Sequence, residues 1–521
     1  MRLNKHIHLI RISTLRMLKL LMVVVILCCF THESLNAQWT KSVQFDDSDM
    51  ALDLAEALSF QKYPTYYQYL EMMEGFAASY PDICRLDTIG LSTRGRLMLA
   101  LKISDYVDED EPEAAFLYSS TIHGNEIAGY VLLLRLADTL LKGYGTDSEI
   151  NKLVDNLQIW INPLANPDAA FSRNNNLSLE LAFRENVNGV DLNRNFPEVT
   201  RGEADDTTGR ELETRNMMLF HREKEFILSA NIHSGTEVVN YPWDGDSALH
   251  ADDDWYRFVS REYADEAMAV DPDYMFGWPE GGITNGWAWY EALGTRQDYV
   301  NSYLGGREVT LELSNAYLLP SSDLEHYWNI NQRSLLNYIS QCLYGIRGRV
   351  TDLESGEPIR AKIEIPEHDS IYSVVHSSET HGDFYRLIKE GEYDLVASAP
   401  GYFSDTIFLV PVTDYQDTLL DIALVKNPAS GVDPIEHIPG FRIYPNPAVH
   451  TFMVEPENVP HGKLELSLYT LDGRIIYRKI LSYHGSGIEL STKQMEPGIY
   501  LLRCTIGSLS DVQRLMVISP S

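Results

Sequence analysis

The chain has 521 residues, of which 44% are hydrophobic, and it is therefore long enough for about three domains with full-sized apolar cores. Its formal net charge of −33 at pH 7 argues against nucleic acid as a partner, because phosphate binding needs a basic face. The same charge is compatible with the attraction of cationic substrates, although an acidic surface that only aids solubility explains most of it more simply.

Residues 1–37 have the pattern of a secretory signal sequence. A basic amino-terminal region leads into the apolar run Leu20–Phe30, and Ala37 ends a short polar stretch as the expected cleavage residue. The apolar run is too short to span a bilayer, and no later segment is apolar enough to do so. We therefore expect an exported protein with no transmembrane segment in the mature chain, and we interpret residues 38–60 as a linker or short pro-segment.

Strand-like and helix-like runs alternate over residues 61–343, which predicts an α/β domain whose largely parallel sheet is covered on both faces. The predicted strands are Leu97–Ile103, Ala114–Thr121, Leu157–Asn162, Phe226–Ile232 and Glu308–Leu313. The predicted helices include Tyr66–Tyr80, Ile127–Leu141, Arg210–Glu225, Trp255–Val270 and Asp323–Leu343.

The pattern changes after Gly345 to short alternating runs between Gly, Pro and Asp turns, which predicts a small β-sandwich over residues 344–425. Residues 426–440 are rich in Pro and Gly, as is typical of a linker. A third, all-β unit is predicted over residues 441–521, and Asp472-Gly473 within it is a hairpin-turn signal. Its predicted strands are Phe452–Glu455, Leu464–Thr470, Arg474–Ile480, Gly498–Ile506 and Val512–Ile518.

The turn that contains His123 and Glu126 lies between a predicted strand and a predicted helix, where an open α/β sheet builds its sites. An imidazole and a carboxylate offered from one turn are two ligands for zinc, and a catalytic zinc needs one more ligand beside water. The spacing alone is a weak signal, because His376 and Glu379 repeat it in a Ser-rich stretch.

Other polar residues also follow or end the predicted strands of this domain. His233 comes directly after the strand that ends at Ile232 and is the natural third metal ligand, although a lone His is more often a core or surface residue. The segment Gly189–Pro197 places Asn193 beside Arg194, a pair that suits a carboxylate because a guanidinium grips both of its oxygens. A surface turn with an ordinary ion pair is the alternative for this segment.

Five motifs of the chain resemble, in the same order, those of the M14 zinc metallocarboxypeptidases of the regulatory (N/E-type) branch. They are His123-Gly-Asn-Glu126, Asn166-Pro-Asp168, Gly189–Pro197, His233-Ser-Gly235 with Asn240-Tyr-Pro-Trp-Asp244, and Glu308–Ser314. The resemblance covers residues 61–343 and implies an α/β/α sandwich with a mixed, mainly eight-stranded sheet. It also implies an enzyme that removes single residues from the C-termini of peptides and proteins.

The resemblance implies a catalytic role for each matching residue. His123, Glu126 and His233 match the ligands of one Zn²⁺ ion. Glu312 matches the general base that takes a proton from the attacking water, and Arg184 matches the arginine that polarises the scissile carbonyl.

A second group of matching residues implies how the substrate is held. Asn193 and Arg194 match the pair that binds the C-terminal carboxylate, and Tyr290 matches the mobile tyrosine that closes over it. Asp244 and Gln297 match positions of the regulatory branch that favour a C-terminal Lys or Arg. A turn capped by Asp244 is the alternative for that residue.

The two C-terminal units also resemble known modules. Residues 344–425 are similar to the transthyretin-like β-sandwich that follows the catalytic unit in regulatory carboxypeptidases, through motifs such as Gly348–Asp352 and Ala399-Pro-Gly-Tyr402. Residues 441–521 are similar to the C-terminal sorting domain of the type IX (Por) secretion system, through Tyr444-Pro-Asn-Pro447 and Pro497-Gly-Ile-Tyr500. This second resemblance implies the type IX secretion machinery as a partner and a secreted or cell-surface location.

The sequence thus predicts a secreted zinc metallocarboxypeptidase that acts on C-terminal Lys or Arg. Two alternatives remain open at this point. One keeps the fold but takes cell-wall or modified peptides as substrates, and the other is a catalytically inactive surface-binding protein on the same scaffold.

Overall fold

The computed structural model describes residues 45–172, 176–370, 372–427, 441–456, 462–470, 475–483, 487–493, 495–506 and 509–518. The chain divides into two compact units, one up to Lys426 and the other from Asn427 onward. The predicted signal sequence, most of the predicted linker 426–440 and the Asp472-Gly473 turn lie outside the described residues.

The first unit is built on an eight-stranded mixed sheet, which confirms the expected fold class. Its strands are β1 (Cys84–Leu91), β2 (Leu97–Ile103), β3 (Ala114–Ser120), β4 (Leu157–Asn162), β5 (Leu228–His233), β6 (Thr236–Tyr241), β7 (Ile283–Asn285) and β8 (Arg307–Ser314). They are ordered β1-β2-β4-β3-β5-β8-β6-β7. The central run β4-β3-β5-β8 is parallel, and so is the pair β6-β7, whereas the pairs β1-β2, β2-β4 and β6-β8 are antiparallel.

Helices cover both faces of this sheet. The longer ones are α1 (Tyr66–Ser79), α2 (Ala128–Gly143), α3 (Ser148–Val154), α4 (Leu212–Lys224), α5 (Asp253–Val270) and α6 (Leu324–Ser340). One-turn helices are formed by Leu54–Ala57, Pro167–Ala170, Gly286–Trp289 and Arg296–Tyr299. In the part of the chain that the structure describes, no helix combines the length and the apolar character that a membrane span requires.

Strand β3 shows how the two layers form from one apolar run. Side chains alternate along a strand, so Phe116 and Tyr118 join the larger core with α1, α2, α5 and α6, while Ala115 and Leu117 join a smaller core with α4. Every residue of β3 is buried. Helix α1 begins after Thr65, whose hydroxyl accepts a hydrogen bond from the N–H of Gln68 in a reciprocal capping box.

Residues 45–60, which we interpreted as part of a linker or short pro-segment, pack against the first unit. Phe45, Met50, Ala57 and Phe60 are buried in the same core as the central sheet. The Asp49 carboxylate accepts hydrogen bonds from the backbone N–H and the hydroxyl of Ser321, at 2.8 and 2.7 Å. These apolar side chains are therefore part of the packed core of the first unit.

A β-sandwich follows within the first unit and starts at Gly345. Its strands are β9 (Gly345–Asp352), β10 (Lys362–Glu364), β11 (Val375–His376), β12 (Asp383–Arg386), β13 (Gly391–Ser398), β14 (Asp405–Val412), β15 (Asp417–Leu419) and β16 (Ile422–Leu424). One sheet has the order β11-β10-β13-β14, and the other has the order β12-β9-β15, with β16 also paired to β9. Val350 and Leu395, one from each sheet, are buried in a single shared core, as expected for a sandwich.

The second unit is also all-β. Its strands are β17 (Phe441–Tyr444), β18 (Thr451–Pro456), β19 (Gly462–Thr470), β20 (Ile475–Tyr483), β21 (Ile488–Ser491), β22 (Gly498–Ile506) and β23 (Leu509–Val517). The sheets β17-β18-β21 and β20-β19-β22-β23 contribute to one apolar core, through side chains such as Phe452 and Leu502. The short strands β17 and β21 were not predicted.

One half-buried acid makes the stability of the first unit depend on pH. Burial, together with the negative charges of Glu111 and Asp105, raises the pKa of Glu113 to about 8. In the unfolded chain this pKa is about 4.3, so between these values the folded state holds a proton that the unfolded state releases. The contribution of Glu113 to stability therefore falls as the pH rises from about 4 to about 8.

We predict that Glu113→Gln, which keeps the side chain neutral at every pH, makes the protein more stable than the parent above pH 8. The difference should shrink as the pH falls and vanish below about pH 4, where the carboxyl of the parent is protonated in the folded and the unfolded state. Denaturant midpoints of both proteins between pH 4 and 9 measure this effect. A constant difference across that range would contradict the assignment to Glu113.

Candidate active site and metal centre

The candidate site lies at the carboxyl ends of three neighbouring parallel strands, β3, β5 and β8. His123 follows β3, His233 is the last residue of β5, and Glu312 lies near the end of β8. His233 and Glu312 are direct partners in the β5–β8 register. Side chains from distant parts of the chain are therefore brought to one edge of the sheet, where open α/β folds place their ligands.

The turn after β3 depends on a glycine. A Cβ on Gly124 would lie 2.4 Å from the backbone carbonyl carbon of Ala169, so no other residue fits against the one-turn helix Pro167–Ala170. The Asn166 side chain donates a hydrogen bond to the Ile122 carbonyl at 3.0 Å. The Asn166 motif thus shapes the turn that presents His123, rather than contacting a substrate.

His123, Glu126 and His233 converge on one point, and their ligand atoms all lie within 4.8 Å of one another. The Nδ1 atoms of the two imidazoles are 3.1 Å apart. Glu126 Oε1 is 2.9 Å from His123 Nδ1, and Glu126 Oε2 is 2.7 Å from His233 Nδ1. Two imidazole nitrogens and a carboxylate that face each other fit the donor set of a three-ligand catalytic zinc site.

The charge states of these groups suit a cation. Burial raises the pKa of Glu126, but His123 and His233 outweigh this effect and hold the pKa well below its usual range. Burial also lowers the pKa of His233 to about 4, so its ring is neutral and keeps a lone pair for a metal. Burial acts in the same way on His123, but the attraction of Glu126 and Asp191 is stronger and raises its pKa.

Asp191 is a functional residue that sequence reasoning did not assign. Its Oδ1 is 2.9 Å from His123 Nε2, on the side of the ring away from Glu126. A proton shared at Nε2 leaves the Nδ1 lone pair free to face the metal position. Asp191 lies inside the Gly189–Pro197 motif, but its partner is 68 residues away.

Arg184 and Glu312 both line the cavity beside this cluster. Arg184 donates hydrogen bonds to Asp191 Oδ2 at 3.0 Å and to Glu126 Oε1 at 3.1 Å, which fixes its guanidinium at the rim of the cluster. Glu312 is buried, and its Oε2 has no hydrogen-bond partner among the described residues. Burial, followed by the negative charge of Glu126, raises the pKa of Glu312 well above its usual value.

The cavity has a volume of about 240 Å³ and continues from the cluster to the predicted substrate-binding residues. Arg194 donates to the Asn193 carbonyl at 2.6 Å and to the Tyr290 hydroxyl at 3.4 Å. Tyr290 is 48% exposed, so its ring stands at the mouth of the cavity. Among the described residues, no carboxylate forms an ion pair with Arg194.

Asp244 forms the opposite, buried part of the cavity lining. Its Oδ1 accepts hydrogen bonds from Asn240 Nδ2 at 2.9 Å and from Gln297 Nε2 at 3.1 Å. Burial raises its pKa, and hydrogen bonds from Asn240 and Thr295 and the positive charge of Arg194 oppose this effect only in part. A Cβ on Gly286 would come within 2.0 Å of the same oxygen, so a glycine is required there. No lysine or arginine of the described ranges pairs with this carboxylate.

The structure thus brings together all but one of the predicted site residues. His123, Glu126, His233, Arg184, Asn193, Arg194, Asp244, Tyr290 and Glu312 line the cavity. Gln297 does not line it and lies behind Asp244 instead. Sequence reasoning also missed that Asn240 and Asp298 hold Asp244 in place. The carboxylate of Asp298 accepts a hydrogen bond from the backbone N–H of Asp244 at 2.9 Å. His376 and Glu379, the second pair with ligand spacing, are not part of this cavity.

Comparisons with known proteins agree with this geometry. The family model for zinc carboxypeptidases matches residues 69–334, and a model for secretion-system C-terminal sorting domains matches residues 442–518. Carboxypeptidase SOL1 of Arabidopsis thaliana is 34% identical over 342 residues, which cover 64% of this chain and 67% of that protein. The catalytic chain of carboxypeptidase N of Mus musculus is 33% identical over 406 residues, which cover 69% and 85%.

Carboxypeptidase D of Homo sapiens is 36% identical over 346 residues. These cover 63% of this chain but only 24% of that longer protein, so the likeness extends to part of it alone. The ordered motifs, the eight-stranded mixed sheet, the converging His and Glu side chains and these matches lead to one conclusion: the chain belongs to the zinc carboxypeptidase family.

Proposed function

We propose that the protein is a zinc-dependent carboxypeptidase that removes single Lys or Arg residues from the C-termini of peptides and proteins. One observation carries the proposal. A single small cavity contains Arg194 and buried Asp244 beside a cluster of three metal ligands, and neither of the two forms an ion pair with any residue that the structure describes. A C-terminal basic residue brings one charge of each sign and satisfies both.

His123 and His233, through Nδ1, and Glu126, through its carboxylate, would hold the zinc ion. Bound zinc supplies a water whose pKa is lowered to about 7 and polarises the substrate carbonyl. The buried position of all three ligands keeps competing solvent away from the reacting bond.

Glu312 is the general base of this proposal. Its unpartnered Oε2 takes the proton of the attacking water and later returns it to the leaving amine. Arg184, held by Asp191 and Glu126, presents its guanidinium to the oxygen that becomes negative as the carbonyl is attacked. Removal of one such donor typically lowers the rate by about 10²–10³-fold.

Cleavage at the chain end follows from Arg194. The guanidinium binds the terminal carboxylate of the substrate with both oxygens, and Asn193 and Tyr290 complete the site. An internal stretch of peptide carries no charge at this position and leaves Arg194 unpaired, so it binds poorly.

Preference for a basic residue follows from Asp244. The neutral amides of Asn240 and Gln297 both donate to its Oδ1, and no cationic side chain of the described residues forms an ion pair with the carboxylate. Burial of an unpaired carboxylate is unfavourable, and a lysine or arginine side chain of the substrate removes this penalty.

The sorting domain directs the export of the chain. The match over residues 442–518 supports transport by the type IX secretion machinery, and we propose a secreted or cell-surface location for the enzyme. Substrates are then peptides and proteins outside the cell.

We predict that the purified protein releases Arg from an N-blocked dipeptide with a kcat/KM at least about 10²-fold higher than for the Phe-ended analogue. A chelator should abolish the release, and added Zn²⁺ should restore it. The amount of free amino acid measured over time gives kcat/KM for each of the two dipeptides. Release that is insensitive to chelation would contradict the metal mechanism.

Asp244→Asn is the matched variant for this assay, since it keeps the shape and hydrogen bonds of the side chain and removes only the charge. The ratio between the two dipeptides should fall towards unity. Equal turnover of both dipeptides by the parent protein would leave Asp244 without a role in specificity.

We predict that Glu312→Gln lowers kcat by about 10⁴-fold or more while the protein still binds one zinc ion per chain, because the amide cannot accept the proton of water. Metal content by atomic absorption and turnover of the Arg-ended dipeptide test the two parts separately. Substantial turnover by the variant would exclude Glu312 as the base.

We predict that Asp191→Asn weakens zinc affinity by about 10–100-fold, because the hydrogen bond that orients His123 loses its charge. Competition with a zinc chelator of known affinity measures the change. Asp246→Asn, at an exposed position outside the cavity, is the matched control and should leave the affinity unaltered. The same affinity in both variants would remove Asp191 from the metal centre.

A further inference from the structure

The β-sandwich over residues 345–425 touches the segment that carries Asp244. We call Trp243–Asp252, which leads from the end of β6 to α5, the pocket loop. Trp243, the residue before Asp244, is buried, and its ring lies 5.9 Å from that of Tyr372 of the sandwich, at 78°. Edge-to-face contacts of this kind are stabilising and fix the orientation of both rings.

The far end of the pocket loop is also held by the sandwich. Asp252 accepts hydrogen bonds from Arg386 Nη1 and Nη2 at 2.8 and 2.7 Å, and from His368 Nε2 at 2.8 Å. Arg307 of β8 donates to the same carboxylate at 2.7 Å. Asp252 and Arg386 are both completely buried, so water cannot take the place of either partner.

The same stretch of the sandwich reaches the strand that carries Glu312. Arg307, the first residue of β8, donates a hydrogen bond to the Ser373 carbonyl at 2.9 Å. Tyr372 and Ser373 are neighbours, so one short segment contacts both the pocket loop and the start of β8.

The pocket loop is buried at its two ends and exposed to solvent between them. Trp243 and Asp244 at one end and His250 and Asp252 at the other are buried, whereas residues 246–249 are exposed. The rings of Trp243 and His250 are 5.0 Å apart, which ties the two ends together. Contacts with the sandwich therefore help to fix Trp243, which precedes Asp244 in the chain, while Asp298 binds the backbone N–H of Asp244 itself.

We propose that the β-sandwich is a positioning element of the substrate pocket, in which Tyr372 holds Trp243 so that Asp244 faces the basic side chain of the substrate. This inference rests on the proposed function. It makes Tyr372, a residue of another domain, a positioning residue for specificity that does not touch the substrate.

Tyr372→Ala tests the inference. The variant should raise KM for the Arg-ended dipeptide by about 10-fold, with kcat within about 2-fold of the parent and with unchanged kcat/KM for the Phe-ended dipeptide. Tyr372→Phe keeps the ring and should behave like the parent. Tyr372→Leu keeps apolar bulk without a flat ring, and should show a smaller loss of the same kind if the alanine variant folds poorly.

Tyr415→Ala is the matched control. Tyr415 also packs the sandwich onto the catalytic domain, but its ring faces Phe258 and Tyr344, neither of which lines the cavity. Its removal should leave the ratio between the two dipeptides unchanged. The inference is overturned if both alanine variants lose activity on the Arg-ended dipeptide equally, or if Tyr372→Ala leaves the ratio between the two dipeptides unchanged. In either case a preference of the parent for Arg still supports the proposed function. A parent without that preference overturns both.

Discussion

The buried carboxylate of Glu126, held between two imidazole rings, is the contact on which the catalytic unit depends. A carboxylate that is 2% exposed is tolerated only with partners on its oxygens. Oε1 accepts a hydrogen bond from Arg184 and lies 2.9 Å from His123 Nδ1, and Oε2 accepts one from the N–H of Ser234 and lies 2.7 Å from His233 Nδ1. These partners come from separate parts of the chain, so the parallel register of β3 and β5 must be correct before the charge is satisfied.

The substrate end of the cavity follows a different principle, because its two charges are left unpaired. Neutral amides donate to Oδ1 of Asp244, and a carbonyl and a hydroxyl bind Arg194, but neither side chain forms an ion pair with an opposite charge within the described ranges. This arrangement costs stability in the free protein. The cost is recovered when a ligand with both charges enters, so specificity is obtained from an unfavourable free state as well as from a favourable complex.

The strands that are covered on both faces of the sheet were predicted most accurately from the sequence. Strands β2 and β4 were predicted with their observed bounds, because a strand covered by helices on both faces is a continuous apolar run. Strand β1 was missed, since it lies at the sheet edge and carries Arg85 and Asp87 among its apolar residues. Strand β7 has three residues, too few for any pattern.

The site was predictable where its residues stand in local motifs, and much less so where they act through one another. His123 and Glu126 share a turn and were recognised together. Asp191 orients His123 from 68 residues away, and nothing in its neighbours indicates this contact. Gln297 was predicted to contact the substrate, yet it lies behind Asp244. A sequence pattern identifies a residue but does not say whether its side chain lines the cavity or supports a residue that does.

The contact between the catalytic domain and the β-sandwich contains buried charges as well as apolar side chains. The sandwich has its own apolar core, and an apolar contact would have been enough to attach it. The contact instead contains Asp252 and Arg386, both fully buried, although a buried ion pair often adds less stability than apolar packing does. An apolar surface tolerates sliding, whereas a guanidinium with two bonds to one carboxylate fixes distance and angle. Such a pair is useful where orientation has to be exact, and it lies at the end of the loop that carries Asp244.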